Sequence, residues 1–180
     1  ADNDGKPDLL RSCCMFDGRG APVLLRNASS PGRIAFQEAT PESMARSRLF
    51  GTMPCWADMD LDGNLDVVVG DILGRVRAFR GDGAGGFSDV TAESGILTPG
   101  DADTFSFGSF GCAWGDYDGD GDLDFAVANI GTQDEYVMRN DGGVAVTRID
   151  LLGTGGDSIG IAWGDYDNDG DLDILLTGRA

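Results

Sequence analysis

The sequence predicts an all-β fold of repeated four-stranded antiparallel units. Three observations predict it: an acidic segment recurs at spacings of 58, 58 and 49 residues, a short apolar run follows every copy, and the 180 residues contain 29 glycines and no helical heptad pattern. With 41% hydrophobic residues the chain can bury a core, so disorder is not expected.

The recurring segment reads D-x-D-x-D-G-x-L-D and is complete at 58–66, 116–124 and 165–173. A shortened copy, Asp2-Asn3-Asp4-Gly5-Lys6-Pro7-Asp8, lacks the first Asp and carries Pro7 where the others have Leu. Trp56, Trp114 and Trp163 stand two residues before each complete copy, which assigns them to packing between repeats, because indoles bury large apolar areas. The runs Leu9-Leu10, Val67-Val68-Val69, Phe125-Ala126-Val127-Ala128 and Ile174-Leu175-Leu176 read as strands. A third strand running into a turn is marked by Leu24-Leu25-Arg26-Asn27, Ala78-Phe79-Arg80-Gly81 and Val137-Met138-Arg139-Asn140. Residues 36–43 then match 87–94 without a gap, reading as a fourth strand that enters a short turn or helix with Thr as its N-cap.

Four short strands per period, with the acidic loop joining the first to the second, make one β-propeller blade. The expected division is strands 2–4 of a first blade at 1–50, a second blade at 51–108, a third at 109–157 and the first two strands of a fourth at 158–180. Leucine-rich or helical solenoids have shorter or helical repeats and fit poorly. Propellers close with roughly 4–8 blades, so about three repeat lengths read as part of a larger propeller, or one that associates to cover its edges. The chain opens on Ala1 without a starting Met, as a processed or excerpted chain would.

The formal charge of −18 disfavours nucleic acid and anionic membrane surfaces and points to cations. Of 31 acidic residues, 17 lie in the four loops, so the charge is localised rather than spread over the surface. With no histidine, His-based acid–base catalysis, Ser-His-Asp triads and His-ligated zinc are excluded. No stretch reaches the about 18 apolar residues of a membrane span. Cys13, Cys14, Cys55 and Cys112 fit neither zinc spacing nor C-x-x-C, leaving buried thiols, one bridge or two bridges open. Their even count and the sequon Asn27-Ala28-Ser29, where Asn27 is a glycosylation acceptor, point to an extracellular or cell-surface setting.

The loops carry the chemistry. Ca2+ takes six to eight oxygen ligands, and carboxylates at alternating positions 1, 3 and 5 aim at one centre while Gly at position 6 turns the chain back. Side-chain ligands are expected from Asp58, Asp60, Asp62 and Asp66; from Asp116, Asp118, Asp120 and Asp124; and from Asp165, Asp167, Asp169 and Asp173. Backbone carbonyls are expected from Asn64, Asp122 and Asp171, and the shortened loop offers Asp2, Asp4, Lys6 and Asp8. Plain acidic turns are the alternative, but like charges about 4 Å apart repel by roughly 4 kcal/mol per pair at an effective dielectric near 20. An EF-hand needs Glu at position 12 and flanking helices; here Asp stands at position 9 and a β-run follows.

At these residues the chain resembles the FG-GAP and VCBS repeats of integrin α-subunit propellers and their relatives, and its Trp-Gly-Asp-Tyr-Asp-Asn-Asp-Gly-Asp-Leu-Asp form resembles the cartilage-acidic-protein type. The resemblance implies a propeller with calcium between strands 1 and 2, an extracellular setting, and adhesion or ligand binding. The Phe-Gly element appears as Phe110-Gly111, becomes Ile159-Gly160 in the last copy and is displaced to Phe50-Gly51 near the second loop; the Gly-Ala-Pro element is absent. The expected function is a non-enzymatic module with a protein or glycan ligand and further blades as partners. The alternatives are a glycan-binding lectin and part of a polysaccharide-degrading enzyme.

Overall fold

The computed structural model describes residues 1–12, 21–47, 49, 51–71, 75–96, 108–131, 134–154 and 156–179. Among them the strands form antiparallel meanders in chain order. The first sheet holds β1 (Leu9–Arg11), β2 (Val23–Asn27) and β3 (Phe36–Glu38). The second holds β4 (Gly51–Ala57), β5 (Asp66–Asp71), β6 (Val76–Gly81) and β7 (Phe87–Asp89), and the third β8 (Ser109–Gly115), β9 (Asp124–Asn129), β10 (Tyr136–Asn140) and β11 (Val146–Asp150). A final pair joins β12 (Asp157–Gly164) to β13 (Asp173–Arg179). These are propeller-type blades, and the acidic loops join first strands to second strands.

Strands β5 and β9 are buried along their whole length, because each central blade is covered on both faces. Alternation of side chains along a strand divides the core into two layers. Val68, Val76 and Ala78 face the third blade and meet Phe125, Val127 and Met138. Val67, Val69 and Phe79 point the other way and meet Leu24, Met44 and Leu49. Burying each such side chain contributes roughly 1.5–3 kcal/mol, which makes blade stacking the main source of stability. In the outer sheets the counterparts Leu9 and Leu175 are 50% and 65% exposed.

Of the tryptophans, expected to pack between repeats, two have their ring contacts inside their own sheet and one reaches the preceding blade. Trp56 meets Phe87 edge-on at 5.9 Å and Trp114 lies 5.0 Å from Phe125. Trp163 stacks on Tyr117 of the preceding blade at 5.9 Å, and its indole N–H donates to the Ala113 carbonyl at 3.0 Å. The inner strands approach closely: a Cβ on Gly111 would lie 2.7 Å from the Ile159 carbonyl oxygen, so no larger residue fits there. Every first strand in these sheets carries a bulge, between Gly51 and Pro54, Ser109 and Gly111, and Ser158 and Gly160. Of the displaced Phe50-Gly51 element, Gly51 stands at such a register shift, and Phe50 lies outside the described residues. A disulfide links Cys55 of β4 to Cys112 of β8 with Cα atoms 6.3 Å apart. Cys13 and Cys14 lie outside the described residues.

The threonine expectation needs correction. Helices α1 (Glu42–Arg46) and α2 (Thr91–Ser94) follow the fourth strands, but their N-caps are Pro41 and Val90, with no side-chain cap. The hydroxyls do a different job. A three-residue fourth strand ends before its neighbour does, leaving one N–H of the third strand without a ladder partner. Thr40 Oγ1 accepts that bond from Leu24 N at 3.1 Å, and Thr91 Oγ1 accepts it from Ala78 N at 3.1 Å. The third blade differs: its fourth strand runs for five residues, and Thr154 Oγ1 accepts instead from Glu135 N, just before β10, at 3.3 Å.

Candidate metal centres

Each loop is folded by its own carboxylates, and the positions divide the work. The position 1 carboxylate collects backbone N–H groups from positions 5 and 6. Asp58 accepts from Asp62 and Gly63 at 3.0 and 2.9 Å, Asp116 from Asp120 and Gly121 at 3.1 and 3.0 Å, and Asp165 from Asp169 and Gly170 at 3.1 Å each. Position 5 accepts from the N–H of position 7: Asp62 from Asn64, Asp120 from Asp122, Asp169 from Asp171 and Asp4 from Lys6, at 2.8–2.9 Å. Gly63, Gly121 and Gly170 at position 6 have φ of 88°, 95° and 98°, the left-handed turn that lets the chain reverse.

Position 9 brackets the loop to the blade. Asp66 Oδ2 accepts from Met59 N at 2.9 Å while its Oδ1 accepts from Gly81 N, at the end of β6, at 2.8 Å. Asp124 does the same with Tyr117 N and Asn140 N. Asp8 accepts from Asn27 N and from the amino group of Ala1, and Asp173 accepts from Tyr166 N. Burial pushes the Asp66 carboxyl up to about 6 despite those two N–H bonds, and burial likewise raises Asp124. Asp8 is also pushed up by burial, but its bonds to the amino terminus and Asn27 outweigh that and hold it below the usual range.

Position 3 is different. Asp60 Oδ1 is buried and receives no hydrogen bond, whereas the Asp2 Oδ2 of the shortened loop is taken by an ion pair with Arg26 Nε. An orphaned carboxylate oxygen aimed into a ring of others is what a metal-binding loop leaves open. Ligand atoms lie within 4.8 Å of one another in the groups Asp58–Asp60–Asp62, Asp116–Asp118–Asp124 and Asp165–Asp167–Asp173. The position 9 carboxylate therefore joins the cluster in the third and fourth loops, while position 5 does so in the second. Asp2, Asp4 and Asp8 form no such group among the described residues.

Neighbouring loops are tied together. Asn140 Nδ2 donates to the Met59 carbonyl at 2.8 Å, and Asn3 Nδ2 to Asn64 Oδ1 at 3.1 Å. A further acidic group, Asp118–Asp120–Asp141, includes a residue from the turn after β10 that the loop motif does not contain. Its signal in the sequence is the third-strand turn, where Asp141 and Asp82 follow Asn140 and Gly81.

Blades of this pattern with a carboxylate ring at each first hairpin define an acidic-loop propeller repeat protein. The FG-GAP-like repeat model matches residues 58–127 and 116–176, each match running from the start of one loop through the next. The chain belongs to the FG-GAP-like repeat family. A comparison with curated proteins found no match.

Proposed function

We propose that the chain is a calcium-binding, non-enzymatic propeller module that works outside the cell in adhesion, ligand binding or structural assembly. The observation that carries the reading is position 3: Asp60, Asp118 and Asp167 each belong to a group of three converging carboxylates, and Asp60 keeps a buried oxygen without a hydrogen bond. Side chains at positions 1, 3, 5 and 9, with the carbonyl of position 7, supply the hard oxygen donors that calcium takes. A bound ion supplies positive charge that turns their mutual repulsion into shared attraction.

The role is structural, since the loop pins the first hairpin of each blade. At free calcium ten times a Kd near 10⁻⁴ M, each loop would contribute about 1.4 kcal/mol. The Cys55–Cys112 bridge favours an oxidising, extracellular setting. The tryptophans favour a packing role over sugar stacking, because each is engaged with an aromatic neighbour, two within a sheet and one at the preceding loop. Protein or glycan ligands and further blades are the partners this reading expects.

Thermal unfolding in excess chelator and after calcium is restored tests it. Chelation is expected to lower the melting temperature by several degrees, and calcium to recover it. Superimposable melting curves would sink the reading.

A further inference from the structure

One arginine recurs in the same place in every third strand described. Arg26, Arg80 and Arg139 each precede the residue whose backbone N–H binds the position 9 carboxylate, namely Asn27, Gly81 and Asn140, at 2.8 Å in all three. That bond fixes the strand end against the loop and delivers the guanidinium to the position 3 side. Arg26 Nε forms an ion pair with Asp2, and Arg80 Nη1 lies 3.9 Å from Asp60 Oδ2. Arg139 reaches through an intermediary: its Nε and Nη2 donate to Asp141 at 3.3 and 3.0 Å, and Asp141 clusters with Asp118 and Asp120. Asp141 and Asp118 are both among the charges that hold the Arg139 guanidinium protonated above its ordinary range.

Asp2, Asp60 and Asp118 all occupy position 3, where the loop backbone leaves the oxygens least committed. Two loops thus have a cation paired with the position 3 carboxylate, and in the third the cation is held one carboxylate away, on Asp141. Among the described residues direct ion pairs reach the 2–8 and 58–66 loops, and at 116–124 the arginine is held beside the loop by Asp141.

We propose that Arg26, Arg80 and Arg139 are built-in counter-cations that hold the position 3 side of their loops together without a metal and weaken binding of a divalent ion there. The inference rests on the calcium reading. The physical reason is linkage: a fixed positive charge stabilises the empty acidic loop, and the same charge repels calcium. A unit charge ~7 Å from a divalent ion at a solvent-exposed site changes affinity about three- to tenfold.

The test compares wild type, the single variant Arg80→Gln, the triple variant Arg26→Gln/Arg80→Gln/Arg139→Gln and the corresponding triple Lys variant. Calcium is titrated calorimetrically, and melting is recorded in chelator. The triple Gln variant is expected to bind calcium about three- to tenfold tighter at the 58–66 and 116–124 loops, leave the 165–173 site least shifted, and melt at a lower temperature in chelator. Arg80→Gln should show the same signature at one loop, and the Lys variant should stay within about twofold of wild type. Equal or weaker calcium binding by the Gln variants, or unchanged melting in chelator, overturns this inference while leaving calcium binding intact. Absence of calcium binding by wild type overturns the calcium reading itself.

Discussion

Aspartates that look interchangeable in the repeat do separate work once the loop is folded. Positions 1 and 5 act as backbone acceptors that shape the turn, position 9 locks the loop to the third strand, and position 3 of the second loop leaves a buried oxygen without a hydrogen bond. The backbone N–H groups therefore offset part of the carboxylate repulsion that a count of charges makes so severe. Position 4 shows the reverse case, a residue at odds with its backbone. It takes a left-handed conformation in every loop for which a value is known: Asn3, Leu61, Gly119 and Asn168 have φ of 54°, 55°, 74° and 62°. Asn and Gly adopt that region readily, whereas Leu is strained there by roughly 1 kcal/mol. Leu61 is also 57% exposed, so its side chain gains little from packing in return. Leu61→Asn is therefore expected to stabilise the protein by about 0.5–1 kcal/mol, read as a higher denaturant midpoint at fixed calcium. A lower midpoint would show that Leu61 contributes packing that outweighs the strain.

What was legible in the sequence at the level of elements is whatever the repeat writes locally. The acidic hairpins, the apolar second strands and the tryptophan before each loop are all spelled out within about twenty residues, so periodicity exposed them. Contacts between blades are written in no single segment. The Asn140 side chain reaches a carbonyl 81 residues away, and the arginines meet their loops only after β2, β6 and β10 have folded back. The threonine hydroxyls find their partners in the same non-local way. A Thr before a short helix resembles a cap, and only the unequal lengths of the third and fourth strands give it a different partner. The Cys55–Cys112 bridge is a further contact of this kind, joining the first strands of two neighbouring blades across 57 residues. Closing a loop of that size restricts the unfolded chain, and its loss costs about 2–4 kcal/mol. The double variant Cys55→Ser/Cys112→Ser is expected to melt roughly 5–15 °C lower than the oxidised parent. Peptide mapping should recover Cys55 joined to Cys112, and recovery of either residue joined to Cys13 or Cys14 would contradict the pairing.

At the scale of the molecule the controlling quantity is the net charge of −18 in a chain without histidine. Ordinary carboxylates titrate well below pH 5 and lysines well above pH 7, so pH dependence between those values reports perturbed carboxylates. Asp66, pushed to about 6 by burial, and Asp124, raised by burial, are such groups. Their folded-state values exceed the unfolded ones, so without metal the folded state binds the extra protons. For Asp66 the stabilisation is fully present below the unfolded value near 3.8 and is lost as pH rises through about 6, and Asp124 contributes with the same sign. Calcium reverses the sign, because it needs the same carboxylates ionised and competes with protons for them. Metal-free protein is thus expected to melt higher at pH 5 than at pH 7, and calcium-saturated protein lower. The gap between the two melting temperatures should narrow as pH falls from 7 to 5, which calorimetry at three pH values can measure. A gap that stays constant across that range would mean that the buried position 9 carboxylates are not coupled to the ion, and that the loops bind through positions 1, 3 and 5 alone.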